Sequence, residues 1–331
     1  MESSQIFSSI NDILGPSEKR FFSSGYRRSE HCISNLVLCA SGERQYCVEA
    51  MASISYPHDW SVKNHAMDVR PHLSTIDMLI LAINMIESYL VCCFSLSPED
   101  VQNICFGEIA IHAGTKPQEN LTDIPITVKL RHSEPKFGDP SRTISTYECN
   151  AGRMRAVCQV EYPCGDNKSG EFRYSSMSDI LGEVSDRYYH AGYKEQKHVL
   201  SNVNLNMENL TASSNVEIIR ANNSSCDIRP GTASYIDVFV TCSQLAQALL
   251  YSLDGLTRSD TSTLWMIRTN FSENEKCFDV ENNVKANVTI SSNRLINLNG
   301  NEWRNVDVVG FFGGKVAKIT FAHALPSTIC D

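Results

Sequence analysis

NDILGPSEKRFFSSGYRRSEH, residues 11–31, returns as SDILGEVSDRYYHAGYKEQKH at residues 178–198. Asp12, Ile13, Leu14, Gly15, Arg20, Gly25, Tyr26 and His31 recur at Asp179, Ile180, Leu181, Gly182, Arg187, Gly192, Tyr193 and His198, each 167 positions further on, while Phe21-Phe22 becomes Tyr188-Tyr189. A second match sets Asp68-Val69-Arg70-Pro71 and Ser74-Thr75-Ile76-Asp77 against Asp227-Ile228-Arg229-Pro230 and Ser234-Tyr235-Ile236-Asp237, at offsets of 159 and then 160. Internal self-similarity decides the architecture before any single element is assigned. The chain is a duplication, and at roughly 100–200 residues per domain its 331 residues divide into two units, 1–170 and 171–331.

Each copy runs from the DILG segment through a variable stretch to the D-[VI]-R-P motif, then a long apolar helix near residues 74–94 or 234–253, then strands. Ile109–Ala113, Ile124–Leu130, Thr143–Cys149 and Met154–Tyr162 alternate or run apolar between Gly, Pro, Asn and Asp; so do Leu264–Phe271, Val284–Ser291, Val306–Phe312 and Lys315–His323. Both helices are apolar on every face, as suits a helix wrapped by a sheet. Met78–Phe94 carries Asn84 and Glu87 and falls short of the roughly 20 apolar residues of a membrane span, so it reads as a core helix. The expected class is α+β, with two antiparallel sheets, each around one long helix, set side by side.

Composition removes several functions. With 29 Lys+Arg against 38 Asp+Glu the net charge is −9, and no basic run is present to follow a phosphate backbone, which argues against nucleic-acid binding. Thirteen cysteines, an odd number without CxxC or Cys/His zinc spacing, suggest reduced thiols and no metal. MESSQIFSSINDILG has neither a basic region nor a long apolar run, so a cytoplasmic location without membrane attachment is expected. No P-loop, GxGxxG, GxSxG or HExxH occurs, and no cofactor is expected.

The wording DILG-x4-R-F-F-x2-GY near the start, with DVRPHLSTID before the first helix, resembles the AvrD family of plant-pathogen avirulence proteins over nearly the whole chain. The resemblance implies a tandem (double) hotdog fold related to A-factor-type butyrolactone synthases and, more distantly, to hydroxyacyl-thioester dehydratases. It implies an acyltransferase that condenses a β-ketoacyl thioester with a pentulose to give syringolide-type acyl glycoside elicitors. The partners would be an acyl thioester of coenzyme A or of acyl carrier protein and a sugar acceptor, with a homodimer a further candidate. A dehydratase, a thioesterase or a non-catalytic acyl-binding protein are the alternatives. The match is partial at residue level: the HxxxPxxPG loop of hotdog dehydratases is missing, and Leu81 and Thr241 stand where the butyrolactone synthases suggest an arginine.

By that resemblance Asp77 and Asp237 fall near the position of a catalytic acid. Each precedes an apolar run, whose low dielectric would raise its pKa and suit it to general base work. Ser74-x-x-Asp77 and Ser234-x-x-Asp237 equally have the form of a capping box, in which the carboxylate only satisfies a backbone amide. His72 could shuttle a proton beside the first helix end, where the second copy has Gly231, and His65 is a weaker candidate. Arg70 and Arg229 either pair with Asp68 and Asp227 or hold a sugar. Asn84 and Gln244, at matching helix positions, either bond a sugar or are satisfied within the core.

Overall fold

The two DILG glycines are explained by their backbone. Gly15 has φ 77° and ψ −174°, and Gly182 has φ 73° and ψ −151°, a region nearly closed to residues with a Cβ. A Cβ on Gly25, the glycine of the first GY pair, would lie 2.1 Å from the Trp60 carbonyl oxygen. The repeat therefore conserves a chain path. It does so in a computed structural model that describes residues 4–40, 47–61, 70–182, 187–220, 233–258, 264–273, 284–298 and 300–326.

The first copy supplies β1 (Ser4–Ser9), α1 (Asn11–Leu14), β2 (Glu30–Cys39), β3 (Val48–Ser55), α2 (Thr75–Phe94), α3 (Pro98–Gln102), β4 (Cys105–His112), β5 (Ile124–Lys136), β6 (Asp139–Ala151) and β7 (Met154–Pro163). The second supplies β8 (Glu171–Ser176), α4 (Ser178–Leu181), β9 (Gln196–Asn206), β10 (Thr211–Arg220), α5 (Tyr235–Asp254), β11 (Trp265–Glu273), β12 (Val284–Leu298), β13 (Asn301–Phe312) and β14 (Lys315–Ala324). All the strands join one sheet in the order β1-β9-β10-β12-β13-β14-β11-β4-β7-β6-β5-β3-β2-β8. Its centre is the antiparallel pair β11–β4, where Arg268 faces His112 and Phe271 faces Ile109. The strands are thus one continuous sheet joined edge to edge, rather than two sheets lying beside each other.

The leading strand of each copy crosses to the other. β1 pairs with β9 and β8 with β2, while α1 packs on α5 and α4 on α2. The DILG-to-GY segments consequently lie between the two copies. α2 packs on β2, β4, β5, β6 and β7, and α5 on β9, β10, β12, β13 and β14; almost all their side chains are buried. Each helix is 20 residues and apolar enough to cross a bilayer by length and composition, so what distinguishes them from spans is their burial within the fold. α5 approaches β13 so closely that a Cβ on Gly310 would meet Cys242 Sγ at 2.4 Å.

The strands after each helix match the expectation. Those before it, β1, β2, β3, β8, β9 and β10, are not among the strands read from the sequence, and for two of them the cause is visible. Asn35 in β2 and Asn202 in β9, again 167 positions apart, have φ of 56° and 49°. In β2 the pairing with β3 slips between Ser34 and Val37, and this bulge breaks the period-two pattern by which a strand is recognised.

Candidate functional site

Ser74 and Ser234 begin the long helices in extended conformation and complete capping boxes with Asp77 and Asp237. Asp77 Oδ2 accepts from the Ser74 amide at 2.8 Å and from Ser74 Oγ at 2.7 Å, and Ser74 Oγ accepts from the Asp77 amide at 3.2 Å. Asp237 Oδ2 accepts from the Ser234 amide at 2.7 Å. Capping is one function of these aspartates, but each also has an imidazole on its other oxygen. His31 Nε2, from β2, lies 2.7 Å from Asp77 Oδ1, and His198 Nε2, from β9, lies 2.8 Å from Asp237 Oδ1. A phenol completes each cluster. Tyr56, just beyond β3, donates to Asp77, whereas in the second copy the donor is Tyr188, 3.1 Å from Asp237 Oδ1. Gln196, with its amide nitrogen turned toward Asp237, donates at 3.0 Å.

Both carboxylates are almost wholly buried, at 1% and 0% exposure. Burial by itself raises the pKa of each, as expected from the apolar runs, yet the outcome is the reverse. For Asp77 the hydrogen bond and charge of His31, with bonds from Tyr56 and Ser74, outweigh burial and hold the carboxyl below its usual value. For Asp237 the bond and charge of His198 and the bonds from Ser234 do the same. Burial and the neighbouring carboxylate push the Tyr56 and Tyr188 phenols well up, so both stay protonated and donate. An aspartate held this low is a weak base, which corrects the expectation of a raised pKa. It suits a role in orienting an imidazole and fixing a helix end.

The two helix ends differ in what lies above them. In the second copy Tyr188 OH is 2.6 Å from Ser234 Oγ, and Tyr189 OH accepts from the Tyr235 amide at 3.3 Å, so the first open amide of α5 is occupied. In the first copy Phe21 and Phe22 stand in those places without hydroxyls, and no described residue bonds the Thr75 amide. A cavity of about 100 Å³ opens there. Ser74, Thr75, Phe21, Phe22, Trp60 and His72 line it from the first copy, and Gln247, Arg258, Leu264, Trp265 and Met266 from the second. Apolar and aromatic walls with a few polar groups are what small-molecule sites commonly offer.

His72 is the expected site residue that reaches this cavity. Its Nδ1 is 3.1 Å from the Arg70 carbonyl, which can only accept, so Nδ1 carries the hydrogen and Nε2 of the neutral ring is left as the acceptor. Trp265 stacks on the ring at 6.2 Å and 17°, and Trp60 meets it edge-on at 6.3 Å. Asp77 lies behind the cavity wall formed by Ser74 and Thr75, and Asp237 lies beneath the closed end of α5.

The remaining candidates are dispersed. Arg70 is exposed, with Nη1 3.7 Å from Glu119 Oε2, and Asp68, its expected partner, lies outside the described residues together with His65, Asp227, Arg229 and Gly231. Asn84 donates to the Tyr189 carbonyl at 3.2 Å. Gln244 accepts from Arg20 Nη1 at 2.8 Å and donates to the Val240 carbonyl at 3.1 Å, so both ends of its amide are bonded inside the protein. Neither amide lines the cavity; Gln247, nearly one turn beyond Gln244, does. His31 and His198 were missed as site residues although their recurrence was visible. Tyr56 and Arg258 gave no such signal. Among the described residues no cluster of His, Cys, Asp and Glu has the make-up of a metal site.

The family model described as Pseudomonas avirulence D protein (AvrD) matches residues 5–326, and the chain belongs to that family. A comparison with curated proteins returns no match. Among solved structures, an acyl-ACP thioesterase of Bacteroides thetaiotaomicron is similar at 11% identity and TM-score 0.38, over 78% of this chain and 94% of its own. A hot dog fold protein from Alicyclobacillus acidocaldarius is similar at 8% identity and TM-score 0.33, over 87% and 96%. The dehydratase domain from the CurJ module of curacin polyketide synthase is similar at 11% identity and TM-score 0.32, over 74% and 81%. All three likenesses are distant.

Proposed function

We propose that this protein is a tandem hotdog enzyme that processes acyl thioesters, moving a β-ketoacyl chain from coenzyme A or a carrier protein onto a hydroxyl of a ketose. The reaction would occur in the cavity at the N-terminus of α2. The observation that carries this reading is His72, in that cavity, with its tautomer set by the Arg70 carbonyl and its plane set by Trp265 and Trp60. Membership of the AvrD family supports the choice of acyl donor and sugar acceptor.

The sugar hydroxyl gives its proton to His72 Nε2 as its oxygen attacks the thioester carbonyl. The carbonyl oxygen, becoming anionic, faces the Thr75 amide at the positive end of the helix dipole. The C–S bond then breaks and the thiolate leaves, taking up the proton from His72. Phe21, Phe22 and Leu264 offer apolar surface to the acyl chain. Asp77 acts at one remove, tying Ser74 and the first turn of α2 to His31. Asp237 does the same for α5 and His198.

The test is incubation of purified protein with a β-ketoacyl thioester and a ketopentose, with the acylated sugar followed by mass spectrometry. His72→Ala should cut its formation about 10²–10⁴-fold, the usual worth of a general base, with the fold intact. Thioester cleavage that ignores the sugar, or loss of water from a hydroxyacyl thioester, would instead assign a thioesterase or a dehydratase. Binding without turnover would assign a ligand-binding role.

A further inference from the structure

From Tyr235 to Tyr251 every residue of α5 is buried except Gln247, and Gln247 is the residue through which α5 lines the cavity. No described residue bonds its amide. The duplication shows what the same position does at the other helix. At the helix offset of 160 the counterpart of Gln247 is Glu87, again the one half-buried residue in a buried run, from Thr75 to Leu90, and Arg187 Nη1 lies 3.5 Å from Glu87 Oε2. Arg20, the counterpart of Arg187, turns elsewhere: it donates to Gln244 Oε1 at 2.8 Å and to Asn11 Oδ1. One helix position is therefore taken up by an ion pair between the copies at the closed end, and at the open end is a neutral amide on the cavity wall.

We propose that Gln247 selects the acceptor, holding a hydroxyl of the ketose other than the one that is acylated. An amide offers a donor and an acceptor side by side, and a hydroxyl answers both because it accepts and donates. A thioester or β-keto oxygen only accepts and meets half of that pattern, and a phosphate gains no opposite charge from it. A half-buried amide without a partner carries a desolvation cost that a hydroxyl-bearing ligand removes. This rests on the proposed function for the acceptor's being a sugar, and it adds that both long helices serve one cavity, α2 through the Thr75 amide and α5 through Gln247. The sugar contact that the sequence suggested for Gln244 falls instead to Gln247, because Gln244 is bonded at both ends of its amide inside the protein.

The experiment is isothermal titration of the full chain with a ketopentose and with ketopentoses lacking one hydroxyl each, with and without a non-hydrolysable β-ketoacyl thioester analogue, repeated for Gln247→Met and Gln247→Ala. Gln247→Met keeps an unbranched side chain of good helix propensity and removes both hydrogen-bonding groups. Gln247→Ala removes them without adding apolar bulk, so a misfolded Gln247→Met leaves the second variant to decide. The expected result is sugar binding about ten-fold weaker in either variant, with binding of the thioester analogue unchanged. One deoxy sugar should be weakened as much in the unaltered protein and no further by either variant, the signature of a direct pair that a structural role does not give. Absence of sugar binding by the unaltered protein, sugar binding that ignores both substitutions, or equal losses toward every sugar and the thioester analogue overturns the proposal. A chain that binds the sugar through Gln247 and forms no acylated product refutes the reaction and leaves the proposal standing. Acylation with an unchanged KM for the sugar in Gln247→Met and Gln247→Ala does the reverse.

Discussion

The N-termini of α2 and α5 are built alike and finished differently. Each has a serine cap, an aspartate three residues on, and a histidine on that aspartate's far oxygen. Over α5 the pair Tyr188-Tyr189 adds hydroxyls that bond Ser234, Asp237 and the Tyr235 amide. Over α2 the pair Phe21-Phe22 adds none, and a cavity occupies that place. Duplication has kept the costly buried charge network in both copies, with Tyr56 giving Asp77 the hydroxyl that Tyr188 gives Asp237, so the ends differ by the one hydroxyl that Tyr189 sets on the first amide of α5. His72 opposite Gly231 falls on the same side of that divide.

The largest expected effect tests what the ends share. Asp237→Ala leaves His198, Tyr188 and the Ser234 amide without their acceptor, and breaking a buried pair of this kind costs about 3–5 kcal/mol, to be read from denaturant unfolding. Asp77→Ala should cost about as much. An end whose aspartate can be removed at little cost would show that the networks differ after all. Next in size is the change that makes the ends alike. Phe22→Tyr should place a hydroxyl on the Thr75 amide and lower turnover about 10²–10³-fold, comparable with loss of an oxyanion donor, while stability is kept.

Acid should weaken both ends together. Asp77 and Asp237 have folded pKa values below the unfolded one, so the stability they supply is fully present above the ordinary carboxylate range and is lost as pH falls through the depressed values. Unfolding followed from pH 6 down to pH 2 should steepen below about pH 4, and Asp77→Asn or Asp237→Asn should flatten that slope. The smallest effect is expected for Tyr189→Phe. It removes one hydrogen bond at α5, about 0.5–1.5 kcal/mol of stability, and leaves turnover unchanged. A fall in turnover there would mean that the α5 end takes part in the chemistry.

Local features carried much of this into the sequence. The DILG glycines declare a backbone that only glycine adopts readily, Ser74-x-x-Asp77 declares a cap, and His31 with His198 recur at the offset of the motif itself. What stayed hidden depends on the distance between partners along the chain. Arg20 meets Gln244 across 224 residues and Arg258 meets Lys19 across 239, and no local pattern brings such groups together. The raised pKa expected for Asp77 failed for the same reason: the apolar run beside it is local, whereas His31 in β2 and Tyr56 just beyond β3, which reverse the shift, are 46 and 21 residues away. The exchange of β1 and β8 between the copies is likewise a property of the assembled sheet, not of either strand's own six residues.

The central claim is that ligand is received at the α2 end and excluded from the α5 end. A crystal structure of the protein with a non-hydrolysable β-ketoacyl thioester analogue tests it directly. The account requires the analogue's carbonyl oxygen within hydrogen-bonding distance of the Thr75 amide, His72 Nε2 facing the open side of that carbonyl, and the Tyr189–Tyr235 bond still in place. An analogue seated at the N-terminus of α5, with Tyr189 displaced, would contradict it.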